Sequence, residues 1–176
     1  EIIKGVKVHR VNLYPRKQSR LSIYRNYLSF HRNAKAFVRH LKEEFDIVFS
    51  VSLSPVISIA PACLYARKHH VKHVLHCLDL WPESTVVTGA VKKDSLVYKL
   101  LYRWSRSLYL KCDKILVSSP SFVDYFHDVL QIKDKPFVYV PQPSLSSGSN
   151  PVPLVFTKKY NFVYVGNIGR LQLVSE

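Results

Sequence analysis

The chain has 176 residues, 47% of them hydrophobic, with five Gly, no Met, and 26 Lys and Arg against 12 Asp and Glu for a formal net charge of +14. So apolar and aromatic a composition can bury a core, which excludes intrinsic disorder, and the scarcity of glycine excludes collagen-like repeats. Cys63, Cys77 and Cys112 are odd in number, far apart and without a C-x-x-C pair, which argues against a disulfide framework or zinc ribbon and for reduced, mostly buried thiols in a cytosolic domain. No run of about 18 apolar residues is present to span a bilayer, and no secretory signal opens the chain. The absence of Met and the first residue Glu1 mark the sequence as a fragment. Its positive field favours nucleic acid, an anionic lipid surface or phosphorylated small molecules as partners.

In chain order, Val6, Val8, Val11 and Leu13 form a β-branched run closed by Tyr14-Pro15, which predicts a strand and turn. From Leu21 to about Phe45 the apolar residues fall at helical spacing. Residues 47–51 predict a buried strand, and Ser54-Pro55 a cap and first-turn proline for a helix to about Lys68. Residues 74–78 predict a third strand, Asp94 to Lys111 a helix, 115–117 a strand, Ser119 to Leu130 a helix, and 137–140 a strand. Near-continuous apolar strands separated by crossover helices predict a doubly wound α/β fold with a parallel sheet. Residues 1–140 make the first domain, the Pro- and Ser-rich stretch 141–160 a linker, and 161–176 the opening strand of a second domain that is cut short.

In such sheets ligands bind beyond the carboxyl ends of the strands. Three stretches lie there. Asp79-Leu80-Trp81-Pro82-Glu83-Ser84 offers two carboxylates that accept hydroxyl hydrogen bonds and an indole with a flat apolar face, which together suit a sugar ring. The plainer reading, a turn capped by Asp79 with Trp81 in the core, has equal standing. Ser118-Ser119-Pro120-Ser121-Phe122 opens a helix and presents hydroxyls and free N–H groups, or is an ordinary N-cap. Gly166-Asn167-Ile168-Gly169-Arg170 follows a strand and lets backbone approach a phosphate, or is only a tight turn.

His69, His70, His73 and His76 crowd together, but His73 and His76 differ in parity along a strand and point to opposite faces, so no metal site is expected. No nucleophile elbow or Cys/His pairing is identifiable. Arg25, Arg32, Lys35, Arg39 and Lys42 recur along one stripe of the first helix beside Tyr27, Phe30 and Phe37. On the later helix Lys99, Arg103 and Arg106 lie on one side, with Leu96, Leu100, Trp104 and Leu108 on the other. Cations beside aromatics suit an anionic bilayer surface. A solvated face opposite a core stripe is the bland alternative. Nucleic acid has no supporting helix-turn-helix, RNP or zinc-finger pattern.

Residues 79–84, 118–122 and 163–169, in that order, resemble signature stretches of retaining glycosyltransferases of family 4, which have the two-domain GT-B fold. The likeness is strongest to the branch that builds bacterial surface polysaccharides such as O-antigen and capsule, fucosaminyl transferases included. Residues 5–11 and 26–30 also match that branch. The resemblance implies an N-terminal acceptor domain, a C-terminal nucleotide-sugar domain and a cleft between them. It further implies a sugar acceptor on a polyprenyl diphosphate, a place on the inner face of the plasma membrane, and no required metal or cofactor. Carried onto this chain, it makes Asp79 and Glu83 catalytic, places Trp81, Ser118 and Ser119 at the acceptor, and puts Gly166, Asn167, Gly169 and Arg170 at the donor diphosphate. The family's first strand, its Gly-rich loop and most of its donor domain have no counterpart here, so the expectation is a fragment inactive alone. A membrane-surface or nucleic-acid binding module without catalysis is the rival reading.

Overall fold

The computed structural model describes residues 1–142 and 159–163. The chain divides into two units, Glu1–Pro141 and Gln142–Glu176, and the architecture below is that of the first. Residues 161–163, in the second, have no regular structure; the predicted strand beyond them, the linker sequence from 143 to 158 and the Gly166–Arg170 stretch lie outside the described residues.

Two short antiparallel strands, β1 (Ile2–Ile3) and β2 (Val6–Lys7), open the chain. They turn through Lys4 and Gly5, whose φ values of 47° and 82° are the left-handed pair that a two-residue hairpin demands. The longer strand predicted through Leu13 does not form, and residues 8–18 run without regular structure. Helix α1 (Arg20–His40) starts on Ser19, whose hydroxyl accepts from Ser22 N–H. It stops before the predicted end. Tyr65 Oη donates to Glu43 O at 2.8 Å and Lys68 Nζ to Arg39 O at 3.0 Å, so groups from another helix satisfy carbonyls there and Leu41 turns extended.

Strand β3 (Ile47–Ser52) leads to a 3₁₀ turn (Val56–Ile59) and α2 (Ala60–His69). Then come β4 (Lys72–Cys77), a short α3 (Glu83–Val87) and α4 (Leu96–Tyr109), the last capped by Ser95. Strand β5 (Lys114–Val117) precedes α5 (Ser121–Asp124), which widens into a π-helical turn (Tyr125–Val129), and β6 (Phe137–Tyr139) closes the unit.

The four long-range strands form one parallel sheet in the order β3-β4-β5-β6, as the alternation of apolar strands and crossover helices predicts. Ser52 pairs with Cys77, Cys77 with Val117 and Val117 with Tyr139, so the residues that follow leave from one edge. Leu75, Cys77, Ile115 and Val117 point to a common face and are fully buried. Against them lie Val56, Ile59 and Cys63 before and on α2, Leu108 and Tyr109 on α4, and Phe126 beyond α5. Each large side chain in that layer contributes roughly 1.5–3 kcal/mol by leaving water. Phe49, Val51 and Val138, on the opposite face, stay exposed. No helix among the described residues is long and apolar enough to cross a membrane.

Candidate functional site

The register brings three loops to the carboxyl edge of the sheet: residues 53–55 after β3, 78–83 after β4 and 118–120 after β5. Asp79 and Ser118 therefore leave neighbouring strands at the same end. The Asp79 carboxyl is half-buried, and burial raises its pKa, an effect opposed by the nearby polar groups of Ser54, Leu80, Ser84 and Trp81. Trp81 Nε1 donates to Ser54 Oγ at 2.9 Å. Sequence reading takes Ser54 for a helix cap. Instead Pro55 occupies the cap position of the 3₁₀ turn without a side-chain bond, and the Ser54 hydroxyl serves Trp81 and Asp79 across the strand gap. Only the pairing of β3 with β4 makes that contact possible.

Glu83 sits differently. Tyr98 Oη donates to its two carboxylate oxygens at 2.9 and 3.0 Å, and Tyr125 Oη reaches Oε2 at 3.2 Å. The carboxylate thus ties α3 to α4 and to the helix after β5. Both phenols are raised above their ordinary pKa, first by burial and then by the adjacent Glu83. Two further bonds fasten the loop: Trp81 N–H donates to Tyr109 Oη at 3.3 Å, and Tyr125 Oη also approaches Trp81 O at 3.2 Å. None of these three tyrosines stands out in the sequence, since each occupies an ordinary helical position.

Ser118 and Ser119 are partly accessible on the neighbouring loop. Ser119 Oγ lies 3.0 Å from Ser121 Oγ, while the cap position of α5 falls to Pro120, which makes no side-chain bond. The loop thus presents hydroxyls and does not use Ser119 as a cap. Gly166, Asn167, Gly169 and Arg170 lie outside the described residues.

Arg25, Arg32 and Arg39 share one exposed stripe of α1, interleaved with exposed Leu21, Tyr24 and Leu28. Arg25 also stands 5.7 Å from the centre of the Tyr14 ring. Lys35 is turned toward α2 and α4, where it lines a cavity of about 160 Å³ with His31, Cys63, Arg67, Trp104 and Lys111. Lys42 lies beyond the end of α1 and off the helical stripe. On α4 most of the apolar side is exposed along with the basic one. Leu96, Leu100 and Trp104 are 75%, 59% and 39% exposed, beside exposed Lys99 and Arg103, while Tyr98, Ser105, Leu108 and Tyr109 face the core. Arg106 leaves the basic group: its Nε donates to Leu130 O at 2.8 Å and its Nη2 to Gln131 O at 3.2 Å, closing the end of the π-helical turn. The rings of His31 and Trp104 meet edge to face at 6.3 Å, which joins α1 to α4.

His73 and His76 do point to opposite faces of β4, and His73 is fully buried. Two cysteines that look remote in sequence, Cys63 on α2 and Cys112 after α4, converge on it. All three cysteines are free and buried.

Comparison with known proteins places residues 3–143 in the family described as Glycosyl transferase 4-like domain. A probable glycosyltransferase of Pseudomonas aeruginosa, WbjE, is 29% identical over 137 residues, which make up 72% of this chain and 34% of that protein. The chain therefore spans about a third of the length of the curated relative it matches.

Proposed function

The chain belongs to the glycosyl transferase 4-like family, and on that premise we propose that it supplies the acceptor side of an enzyme moving a sugar from a nucleotide sugar to a glycan carried on a polyprenyl diphosphate. One observation carries the reading: a single half-buried carboxyl, Asp79, stands at the carboxyl edge of the parallel sheet with Trp81 and Ser54 beside it. A raised pKa brings this group closer to a base that accepts a hydroxyl proton in the transition state. In this scheme the acceptor hydroxyl donates to Asp79, a sugar ring stacks on Trp81, and Ser118 and Ser119 take hydrogen bonds from neighbouring hydroxyls. In the same scheme Glu83 holds the loop in place through Tyr98 and Tyr125.

The hydroxyl attacks from the face the diphosphate leaves, so configuration is retained. Gly166, Asn167, Gly169 and Arg170 would meet the departing charge, with positive groups and helix dipoles supplying electrostatic stabilisation without a metal. Retention, surface-polysaccharide assembly and the donor contacts rest on the sequence resemblance. A place at the membrane is supported by the exposed apolar and basic stripes of α1 and α4.

The test is sedimentation with phosphatidylglycerol vesicles, with and without farnesyl-diphosphate-linked N-acetylglucosamine in the bilayer. We expect binding to the plain anionic vesicles, and tighter binding when the sugar lipid is present. Asp79→Asn should abolish the increment alone, and Leu100→Glu with Arg103→Glu the vesicle binding itself. A sugar lipid that adds nothing overturns the acceptor reading, and retention on DNA without vesicle binding favours the nucleic-acid module. Because the chain covers a third of its relative, we also expect no sugar transfer by the 176 residues alone. Label passing from a nucleotide sugar to the farnesyl lipid would overturn that expectation.

A further inference from the structure

Behind the sheet edge, inside the layer where α2 and α4 cover β4, lies a group of side chains that glycosyl transfer does not use. Cys63 Sγ, Cys112 Sγ and a His73 ring nitrogen all fall within 4.8 Å of one another, and the three residues are buried. Among the described residues no other three His, Cys, Asp or Glu side chains gather in this way. We propose that Cys63, His73 and Cys112 form a structural site for zinc.

The geometry suits a thiophilic ion. Cys63 Sγ is 3.8 Å from His73 Nδ1. A tetrahedral zinc with its usual bond lengths sets ligand-to-ligand separations of about 3.5–3.8 Å, so the triangle closes on the ion with displacements of an ångström or less. His73 is already oriented. Ser50 Oγ lies 2.7 Å from Nε2, and a hydroxyl that accepts Nε2–H leaves the Nδ1 lone pair facing the sulfurs, as outer partners of zinc-bound imidazoles do. The backbone beneath it is fixed as well, because Asp113 Oδ2 accepts His73 N–H at 2.9 Å. Leu108 O, 3.9 Å from Cys63 Sγ and 3.6 Å from Cys112 Sγ, is an oxygen within reach as a fourth ligand.

Charge points the same way. Two thiolates and a neutral imidazole with Zn²⁺ sum to zero, the arrangement least costly to bury. Binding zinc would displace the two thiol protons to solvent. A route in exists, since Cys63 and Leu108 also line the cavity bounded by His31, Lys35 and Trp104. Cys77 is excluded: its Sγ donates to Asp79 O at 3.3 Å, and burial raises its thiol to about 12.

The full 176-residue chain should be prepared without chelator, its zinc measured by plasma mass spectrometry, and the metal then exchanged for cobalt. We expect equimolar zinc and, with cobalt, the intense near-ultraviolet thiolate charge-transfer band. Cys63→Ser or Cys112→Ser should abolish both, Cys77→Ser should keep both, and Ser50→Ala should weaken affinity about 10-fold. The cobalt band of the unsubstituted chain decides the matter even where a serine variant fails to fold. No stoichiometric zinc together with no cobalt band overturns the proposal, as does metal retained by Cys63→Ser or a Cys63–Cys112 disulfide in protein kept reduced.

Discussion

The loops after β4 and β5 leave the same sheet edge from neighbouring strands, yet one is fastened and the other is not. Residues 79–83 are held by Ser54, Tyr98, Tyr109 and Tyr125, from three separate segments. Residues 118–121 have one side-chain bond, and it is internal. Within the fastened loop the two acidic residues also differ: Glu83 is bound by two phenols, while Asp79 is partly desolvated and raised in pKa. A loop held through Trp81 and Glu83 keeps the Asp79 carboxylate oriented at the sheet edge, and sites placed by rigid neighbours hold their geometry better than loops left to themselves.

That contrast can be broken in order of effect. Glu83→Ala removes the acceptor of one buried and one partly buried phenol and should destabilise the chain by about 2–3 kcal/mol, read from urea denaturation. A double-mutant cycle with Tyr98→Phe should show strong coupling, and additive effects would mean that the tie carries no energy. Tyr109→Phe, which deletes one hydroxyl, should cost about 1 kcal/mol. Asp79→Asn should go the other way.

The folded Asp79 holds its proton more tightly than the unfolded one, so the wild type loses stability as pH rises from about 3.9 through the folded pKa. Asp79→Asn should therefore melt at or above the wild-type temperature at neutral pH, with the advantage gone in acid. A variant less stable than the wild type at neutral pH would make Asp79 a structural carboxylate. The smallest effect belongs to the loose loop: Ser119→Ala should change stability by less than about 0.5 kcal/mol while weakening the sugar-dependent binding to vesicles.

Much of the architecture is legible in the sequence. Apolar strand runs at 47–51, 74–78, 115–117 and 137–140 mark the strands observed. The opposed directions of His73 and His76 follow from parity alone. The first strand misled because a β-branched run without a partner strand has nothing to pair with, and here pairing ends at Lys7. On α4, spacing separates an apolar from a basic side but does not say where the neighbouring layer meets the helix; Leu96 and Leu100 prove exposed beside Lys99 and Arg103, while Leu108 is buried.

The amino-acid order by itself thus determined the elements, their alternation and the strand ends at which Asp79 and Ser118 emerge, because periodicity and turn chemistry act over a few residues. Tertiary structure alone decided that Ser54 serves Trp81, that Tyr98 and Tyr125 take up Glu83 while Asp79 stays half-buried at the sheet edge, and that Cys63, His73 and Cys112 meet. Those partners are separated by 10 to 49 positions and drawn together by strand register and helix packing, distances on which no local pattern carries information.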